Sequence, residues 1–318
     1  MRAAQIDTCG RPPRPADRPA PEPGESERLV RVLAAPITPL DLLCAGGASY
    51  FGVPATPYVP GVQGVGTVDG RLVWFPTSAG MAPGDGSMAE LACVPAGDLV
   101  ELPTGADPVA VAALGLSAVA AHQALIWRGE LAPGEQVLVL GAGGVVGQAA
   151  VQLARVAGAR RVVAATRSSA GCERAARAGA DAVVRLDTED VAELAERLAG
   201  ACDGPLDLVL DPLFGAPAAA AARVLRPHGR LVNLGASAGE TAPFDSSTLR
   251  SRSLRVLGYT NTELTRAQRA EVMATVAGLA VSGRLHVDHE AVPLEDVASA
   301  WERQGTGIAP GRLVLTPP

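Results

Sequence analysis

Residues 137–167 constrain the fold more than any other part of the chain, because their periodicity changes from strand to turn to helix and back to strand. A continuous apolar run at 137–140 comes first, and Gly141, Gly144 and Gly147 follow it. Apolar residues at helical spacing then lead to a second apolar run at 161–165. This order predicts a strand, a glycine turn (residues 141–147), a helix and a second, parallel strand.

The glycine spacing is typical of a dinucleotide site. Glycines without Cβ atoms permit a tight turn, close approach of a pyrophosphate to backbone N–H groups, and close packing of the next helix. The spacing alone is weak evidence, but the strands and helix around it lie where the motif requires them. We therefore predict dinucleotide contacts from Gly141, Gly144, Val145 and Val146.

The end of the second strand indicates which dinucleotide is bound. Units that bind NAD usually carry Asp or Glu here, which accepts hydrogen bonds from the ribose hydroxyls. This chain has Thr166, Arg167 and Ser168 instead. Hydroxyl and guanidinium groups bind a 2′-phosphate well, so the sequence favours NADPH over NADH. The alternative is that Arg167 is only a solvated loop charge.

Composition excludes several other functions. The chain has 318 residues, of which 48% are hydrophobic and 19% charged, so about two domains with sizeable cores are expected. It contains no lysine, which excludes Schiff-base chemistry, a P-loop and the Tyr-x-x-x-Lys pair of short-chain dehydrogenases. A net charge of -6 with scattered arginines argues against a nucleic-acid partner. Since we identify neither an apolar run of membrane-spanning length nor a signal peptide, we expect no membrane partner and a cytoplasmic location.

The pattern of elements predicts an α/β protein of two domains. Residues 1–115 show short strand patterns between Gly and Pro turns, with hardly any helix and an exposed proline-rich loop before residue 27. A helix capped by Asp107 then opens an alternation of strands and helices that ends with a strand at 254–259. We predict a doubly wound parallel sheet over 116–258 and a β-rich domain built from 1–115 and 259–318. The strand 254–259 is expected near a sheet edge, where two copies would pair into a homodimer.

Several segments resemble the medium-chain dehydrogenase/reductase superfamily, in its zinc-free quinone oxidoreductase and enoyl reductase branch. They are ITPLDLLCAGG at 37–47, PYVPGVQGVGTV at 57–68, the glycine turn and its helix, LDLVLDPLFG at 206–215 and VLRPHGRLVNLGASAG at 224–239. This resemblance covers essentially the whole chain. It implies a GroES-like β-rich catalytic domain and a Rossmann domain that binds NADPH. It also implies further cofactor contacts from Asp211, Leu234, Gly235 and Ala236.

The same resemblance implies that no metal takes part. Zinc-dependent relatives place a Cys three residues before Asp41, and a His and a Glu in a later element. This chain has Thr38, Val62 and Gln63 at those positions, and none of them supplies a usable zinc ligand. The five cysteines are widely spaced and form no C-x-x-C pair, so no structural zinc is expected either.

A site without metal must work by positioning and hydrogen bonding. The resemblance implies that NADPH lies in a cleft between the domains and reduces an activated C=C bond of a small-molecule substrate. Tyr50 is the candidate proton donor, and Thr38, Asp41 and Gln63 are the other polar candidates. The alternative is that Tyr50 packs or lines the mouth of the cleft.

Three functions stay open at this point. The first is an NADPH-dependent reductase acting on a quinone, an enone or an enoyl thioester. The second is a cofactor-binding protein with little turnover, acting as a redox sensor or structural partner. It is favoured by Thr38 and Ala120, which stand where relatives often carry hydrogen-bonding Asn and Thr. The third is an alcohol dehydrogenase, which the missing zinc ligands disfavour.

Overall fold

The computed structural model describes residues 1–318, which form two compact units. The β-rich unit contains Met1–Gly115 and Thr265–Pro318, and the parallel-sheet unit contains Leu116–Leu264. The second boundary lies beyond residue 258 because the segment after the last parallel strand bonds back to its own unit. Within that segment the Tyr259 amide donates to the carbonyl of Asn233 at 2.9 Å.

Fifteen strands and nine helices are present. The strands are β1 Arg2–Gln5, β2 Arg14–Asp17, β3 Glu27–Pro36, β4 Gln63–Val68, β5 Arg71–Pro76, β6 Leu91–Pro95, β7 Val100–Glu101, β8 Gln136–Leu140, β9 Arg161–Thr166, β10 Ala182–Arg185, β11 Leu206–Asp211, β12 Leu225–Asn233, β13 Arg255–Gly258, β14 His289–Pro293 and β15 Arg312–Thr316. The helices are α1 Pro39–Ala45, α2 Pro108–Gln123, α3 Val145–Val156, α4 Ser169–Arg177, α5 Val191–Ala201, α6 Gly215–Val224, α7 Ser246–Ser251, α8 Arg266–Val281 and α9 Val297–Gly305.

The parallel-sheet unit has six parallel strands in the order β10-β9-β8-β11-β12-β13. The chain begins in the middle with β8, moves outward to β10, and returns to β11 beside β8. Strand order therefore reverses between β8 and β11, and ligands of doubly wound sheets bind outside the carboxyl ends at such a point. Strands β8, β9 and β11 are almost continuously buried, as expected for a sheet covered on both faces. The predicted doubly wound fold is confirmed, and β13 is an edge strand as expected.

The β-rich unit contains a seven-stranded sheet and a separate two-stranded sheet. The larger sheet runs in the order β14-β15-β3-β4-β5-β7, with β6 also paired to β3. Its pairs are antiparallel except for β14 with β15. A buried apolar cluster that includes Ile6, Val30, Phe75, Met88 and Trp301 fills this unit. The β-rich domain predicted from both ends of the chain is therefore present.

Two elements of this unit differ from the prediction. Strand β2 lies in the segment expected to be an exposed loop, and it pairs antiparallel with β1. Pro15 within it is tolerated because proline needs no ladder donor on an edge strand. Helix α1 lies where hardly any helix was expected; Thr38 caps it, and Pro39 occupies its first turn, where no N–H donor is needed.

Helix α2 was expected to be continuous to about Trp127, but it is broken at Gly115. Gly115 has φ 30° and ψ −133°, which are not helical, so two shorter helices meet there. A π-helical turn, Ala124–Arg128, follows the second part. The predicted cap is present, since Asp107 Oδ1 accepts a hydrogen bond from the Val109 amide at 3.0 Å.

The same segment corrects the expectation about apolar length. Pro108–Arg128 is long and apolar enough to cross a membrane, judged by length and composition alone. However, 67% of its most apolar window is buried inside the protein. The core helix of a soluble protein passes the same test, so this single segment is weak evidence for a membrane span.

Candidate functional site

The glycine turn connects the carboxyl end of β8 to α3. Gly141 has φ +62°, a conformation that favours glycine. A Cβ on Gly147 would lie 2.4 Å from both the Ala142 Cα and the Gly141 carbonyl oxygen, so α3 packs against the turn backbone only because residue 147 lacks a side chain. Gly144, by contrast, is exposed, and a Cβ there would meet only the Gly141 oxygen at 3.5 Å. The turn is therefore closed on one side and open on the other.

The open side of the turn presents unpaired backbone donors. Gly144 is the N-cap of α3 and no side chain caps the helix. Val145 and Val146 are half-exposed, and their amides belong to the first turn, which has no intrahelical acceptors. Together with the positive end of the helix dipole, these N–H groups form a site for an anionic group such as a pyrophosphate.

Thr166, at the end of β9, fills the space between the glycine turn and α4. Its Oγ1 lies 2.9 Å from the position of a Cβ on Gly143 and 2.6 Å from that of a Cβ on Gly171. A Cβ on Gly143 would also lie 2.6 Å from the Gly171 Cα, so the two backbones are nearly in contact. Arg174 reinforces this approach, because its Nε donates to the Gly143 carbonyl at 2.8 Å. Sequence reasoning missed Gly143, Gly171 and Arg174 because the contacts join separate elements.

Arg167 and Ser168 are exposed beside this buried threonine. Ser168 caps α4, and its Oγ accepts from the Gly171 amide at 3.0 Å. The backbone carbonyl of Arg167 accepts from Arg185 Nε at 3.3 Å, which holds the loop without occupying the Arg167 guanidinium. Thus a guanidinium and a hydroxyl are available to an anion at this edge, where Thr166 replaces a carboxylate.

Asp211 and the residues after β12 complete the edge. Asp211 is fully buried, and its Oδ1 accepts from the amides of Leu213 and Phe214 at 2.9 and 2.8 Å. Burial raises the pKa of Asp211, opposed by these hydrogen bonds. They hold Phe214 at φ 58°, an uncommon conformation for a residue with a side chain, which sequence reasoning did not anticipate. The geometry therefore gives Asp211 a supporting role, and direct cofactor contact stays a prediction.

The remaining predicted cofactor residues lie at the same edge. The Leu234 amide donates to the Asp211 carbonyl at 2.9 Å. A Cβ on Gly235 would lie 2.8 Å from the Pro212 carbonyl oxygen, and one on Gly141 would lie 3.0 Å from the Pro212 ring. Leu234, Gly235 and Ala236 are half-exposed. The structure therefore brings the predicted cofactor-binding residues together along the carboxyl ends of β8, β9, β11 and β12.

In the β-rich unit, Asp41 is the centre of a buried hydrogen-bond network. Its Oδ2 accepts from the Thr38 amide at 2.8 Å and the Thr38 hydroxyl at 2.6 Å. Its Oδ1 accepts from the amides of Gly61 and Val62 at 3.1 and 2.9 Å. The carboxylate thus joins the start of α1 to the turn that precedes β4. The predicted residues Thr38 and Asp41 are indeed adjacent, but their hydrogen bonds are structural ones; a catalytic role for either stays a prediction.

Arg312, on β15, is a buried cation near this network that sequence reasoning missed. Its NH1 donates to the Ile37 carbonyl at 2.8 Å. Burial lowers the pKa of Arg312 to about 10, although the Asp41 carboxylate acts in the opposite direction. Burial also raises the pKa of Asp41, against the hydrogen bonds from Thr38 and Val62. At neutral pH the guanidinium is still protonated and attracts the Asp41 carboxylate.

The other two predicted catalytic residues differ sharply in exposure. Gln63 is 1% exposed, and its Oε1 accepts from Trp74 Nε1 at 2.8 Å. A Cβ on Gly115 would lie 1.9 Å from that same oxygen, which explains why α2 breaks at a glycine. Tyr50 is 79% exposed and its ring centroid lies 4.4 Å from that of Phe51. Tyr50 is therefore not a core tyrosine, whereas Gln63 is embedded in its own unit.

Comparison with known proteins agrees with this geometry. Residues 145–278 match the family model described as zinc-binding dehydrogenase. The human quinone oxidoreductase is 27% identical over 99% of this chain and 97% of its own length. The solved quinone oxidoreductase from Thermus thermophilus, also crystallised as a complex with NADPH, is 32% identical, with a TM-score of 0.84 over 99% of this chain and 100% of that one.

The chain belongs to the medium-chain dehydrogenase/reductase superfamily, in its quinone oxidoreductase branch. The predicted family is thus confirmed. A further relative is a subunit of the phenolphthiocerol/phthiocerol polyketide synthase of Mycobacterium tuberculosis, which is 28% identical over 91% of this chain. The chain spans only 13% of that protein.

The Asp41 network lies where zinc-dependent members of the superfamily carry their catalytic zinc ligands. The resemblance places the zinc ligands of zinc-dependent members at Thr38, Val62 and Gln63. The structure brings these positions together, since Thr38 and Val62 both donate to Asp41 and Gln63 follows Val62. The alignment of these segments is therefore consistent with the fold.

Two glycine substitutions separate the closed side of the turn from its open side. We expect Gly147→Ala to lower the melting temperature and weaken dinucleotide binding, because its Cβ would overlap backbone atoms at 2.4 Å. Gly144→Val should leave the melting temperature nearly unchanged, yet weaken dinucleotide binding by roughly tenfold or more, because its side chain would enter the open space. Thermal unfolding and fluorescence titration measure both effects.

Gly200→Ala is the matched control for this pair. Gly200 lies in α5 of the same unit, and a Cβ there would meet nothing within 4 Å. Binding unchanged by Gly144→Val would show that the open side of the turn does not hold the dinucleotide.

The Asp41 network predicts a large effect on stability. Asp41→Ala would leave the amides of Gly61 and Val62 without acceptors and the nearby Arg312 without its counter-charge. We expect a loss of about 3 to 5 kcal/mol in the free energy of unfolding, measured by urea denaturation. Thr38→Ser is the control and should cost well under about 1 kcal/mol, since it keeps the capping hydroxyl. Equal stabilities of the two variants would contradict the role assigned to Asp41.

Proposed function

We propose that this protein is an NADPH-dependent reductase of an activated C=C bond and that it works without zinc. One observation carries the proposal. The uncapped, solvent-open N-terminus of α3 lies at the same sheet edge as exposed Arg167 and Ser168, with Thr166 where an NAD-binding unit would carry a carboxylate. Membership in the quinone oxidoreductase branch supports it.

The residues at this edge fit NADPH. The amides of Val145 and Val146 would hold the pyrophosphate, since Gly144 leaves the approach to them open. Arg167 and Ser168 would hold the 2′-phosphate through charge-assisted hydrogen bonds. No carboxylate side chain at the end of β9 would repel that phosphate. The Thermus thermophilus relative was solved as a complex with NADPH, which supports the same choice.

When bound, NADPH supplies a hydride to the substrate. The side chains of this chain must then stabilise the negative charge that develops on the substrate carbonyl oxygen and deliver a proton. The Tyr50 phenol is suited to both tasks because it is exposed and carries an O–H donor. Thr38 offers a hydroxyl, but this hydroxyl already donates to Asp41 Oδ2. We therefore rank Tyr50 first as the proton donor and Thr38 second.

Zinc independence is supported by the donor chemistry at the aligned ligand positions. Thr38, Val62 and Gln63 offer no thiolate, imidazole or carboxylate. The neighbouring Asp41 carboxylate already accepts four hydrogen bonds within the protein. The family model described as zinc-binding dehydrogenase matches only residues 145–278, which lie outside these positions.

The substrate we favour is a quinone or an enone. The names of the human and Thermus thermophilus relatives support a quinone. An enoyl thioester is the second candidate, because a segment of a polyketide synthase is 28% identical to this chain. A binding protein with little turnover stays the alternative, since the Thr38 hydroxyl and the Gln63 side chain are engaged in internal hydrogen bonds.

We further propose a homodimer in the cytoplasm. Strand β13 is the edge of the parallel sheet and Val256 on it is 43% exposed, so a second copy could extend the sheet there. All five cysteines are free thiols, which suits a reducing compartment.

Cofactor oxidation tests the reductase and its preference together. We expect NADPH to be consumed in the presence of 1,4-naphthoquinone, an enone or an enoyl thioester, with NADH far less effective. Arg167→Ala should weaken NADPH binding by about 1 to 3 kcal/mol, seen as a higher KM for NADPH. The KM for NADH should be nearly unchanged. The loss of the absorbance of the reduced nicotinamide follows the reaction.

Arg160→Ala is the control, because Arg160 lies just before the amino end of the same strand and bonds to Asp203. Equal losses with both cofactors in Arg167→Ala would show that Arg167 does not read the 2′-phosphate. Tight NADPH binding without turnover of any substrate would favour the binding-protein alternative.

Tyr50→Phe tests the proton donor. We expect NADPH affinity to be intact and the single-turnover rate to fall by roughly 10²-fold, the usual scale of general acid catalysis. Stopped-flow absorbance measures that rate. Phe51→Leu checks that the loop is intact, since it disturbs the adjacent ring contact but keeps the phenol. A rate unchanged in Tyr50→Phe would move the proton source to water or to Thr38.

A further inference from the structure

The β-rich unit contains a cavity that is separate from the hydrogen bonds of the Asp41 network. Its volume is about 480 Å³, within the range of small-molecule sites. Two loops, 51–58 and 80–85, supply the whole lining. The lining side chains are mainly apolar: Phe51, Val53, Pro54, Pro57, Met81 and Pro83.

The cavity contains one buried polar group that the protein leaves unpaired. Tyr58 is 5% exposed, lines the cavity, and its hydroxyl makes no hydrogen bond within the protein. Its backbone is fixed on both sides by Ile6, with N–O distances of 3.2 and 2.9 Å. Tyrosine hydroxyls in largely buried residues usually have a partner, and this one has none within the protein, so it is available on the cavity wall to donate to a ligand.

Glycine makes room for this hydroxyl. Gly80 has φ +75°, and a Cβ on it would lie 3.2 Å from the Tyr58 oxygen and 2.8 Å from Cys44 Cβ. Any side chain at position 80 would thus crowd the phenol and the end of α1. The wall around the hydroxyl is therefore open because residue 80 is glycine.

The charge of the lining selects a neutral ligand. Asp85 is its one charged residue, and it is already compensated. Its Oδ1 accepts from the Val59 amide at 2.8 Å, and its Oδ2 accepts from Arg18 at 2.9 Å. Burial raises the pKa of Tyr58, so the phenol remains a neutral donor at physiological pH. A ligand that matches an apolar cavity with a single hydrogen-bond donor, the Tyr58 hydroxyl, is an apolar molecule that carries an acceptor oxygen.

We infer that this cavity binds the apolar ring portion of a neutral carbonyl compound, and that the Tyr58 hydroxyl donates a hydrogen bond to its oxygen. In so far as that compound is the substrate, the inference rests on the proposed function and makes Tyr58 a specificity-determining residue. It assigns recognition of the ring portion of the substrate to the β-rich unit.

Binding of 1-tetralone tests the inference, with tetralin as the same ring system without oxygen. Neither probe alkylates thiols, and both are titrated calorimetrically into the full chain without nucleotide. Tyr58→Phe should weaken 1-tetralone about tenfold and leave tetralin unchanged. Its melting temperature should equal that of the wild type, because the hydroxyl has no partner to lose. Ala82→Trp, which fills the cavity from its exposed rim, should weaken both probes.

Tyr259→Phe is the matched control, since it removes a phenol hydroxyl that bonds to Asn261 in the other unit; both probes should bind it as they bind the wild type. The inference is overturned if the wild type binds neither probe, if Tyr58→Phe binds 1-tetralone unchanged, or if Ala82→Trp retains both. NADPH oxidation is assayed separately. Binding through Tyr58 without turnover would refute the reductase and leave the cavity assignment standing. Turnover with a quinone KM unaffected by Tyr58→Phe would support the reductase and refute the assignment of the substrate to this cavity.

Discussion

The β-rich unit depends on one buried carboxylate, Asp41, that is fully used by its neighbours. It caps α1 through Thr38, holds the turn before β4 through two amides, and attracts the guanidinium on β15. The Asp41 carboxylate therefore interacts with segments from both ends of the chain. The end of α1 places Cys44 beside Gly80, so the helix that Asp41 helps to cap also adjoins the wall of the Tyr58 cavity. The same helix, α1, therefore takes part in the Asp41 network and adjoins the proposed ligand cavity.

In the parallel-sheet unit, the ion pairs and the proposed dinucleotide site lie at opposite ends of the strands. At the amino ends, Glu135 and Asp207 are held by Arg226 and Arg230 in half-buried ion pairs. At the carboxyl ends, the backbones of the glycine turn, β11 and α4 approach closely while Gly144 and Arg167 stay open to solvent. These ion pairs thus lie at the end of the sheet opposite to the edge for which we propose dinucleotide binding.

Local sequence patterns were sufficient for the parallel sheet, because its central strands β8, β9 and β11 are buried apolar runs and the glycine turn follows the first of them. They also located Thr166 and Arg167, which adjoin the end of a strand. They were insufficient for α1, which is barely two turns long, and for β2, whose proline is typical of a loop. The break at Gly115 and the contact of Arg312 with Ile37 depend on residues distant in sequence, so no local signal announced them. Tyr58 was likewise hidden, since only the structure shows its hydroxyl unpaired.

The packing of Thr166 has a consequence for redesign of cofactor preference. Its Oγ1 occupies the space between Gly143 and Gly171, where the two backbones nearly touch. An aspartate, which carries one more heavy atom than threonine, would press on both glycines while trying to reach a ribose hydroxyl. Since neither glycine can yield without moving the turn or α4, a single exchange at this position would disturb the architecture before it changed the ligand. A swap toward NADH has to enlarge the gap first, by shifting α4 outward, and only then introduce the acid.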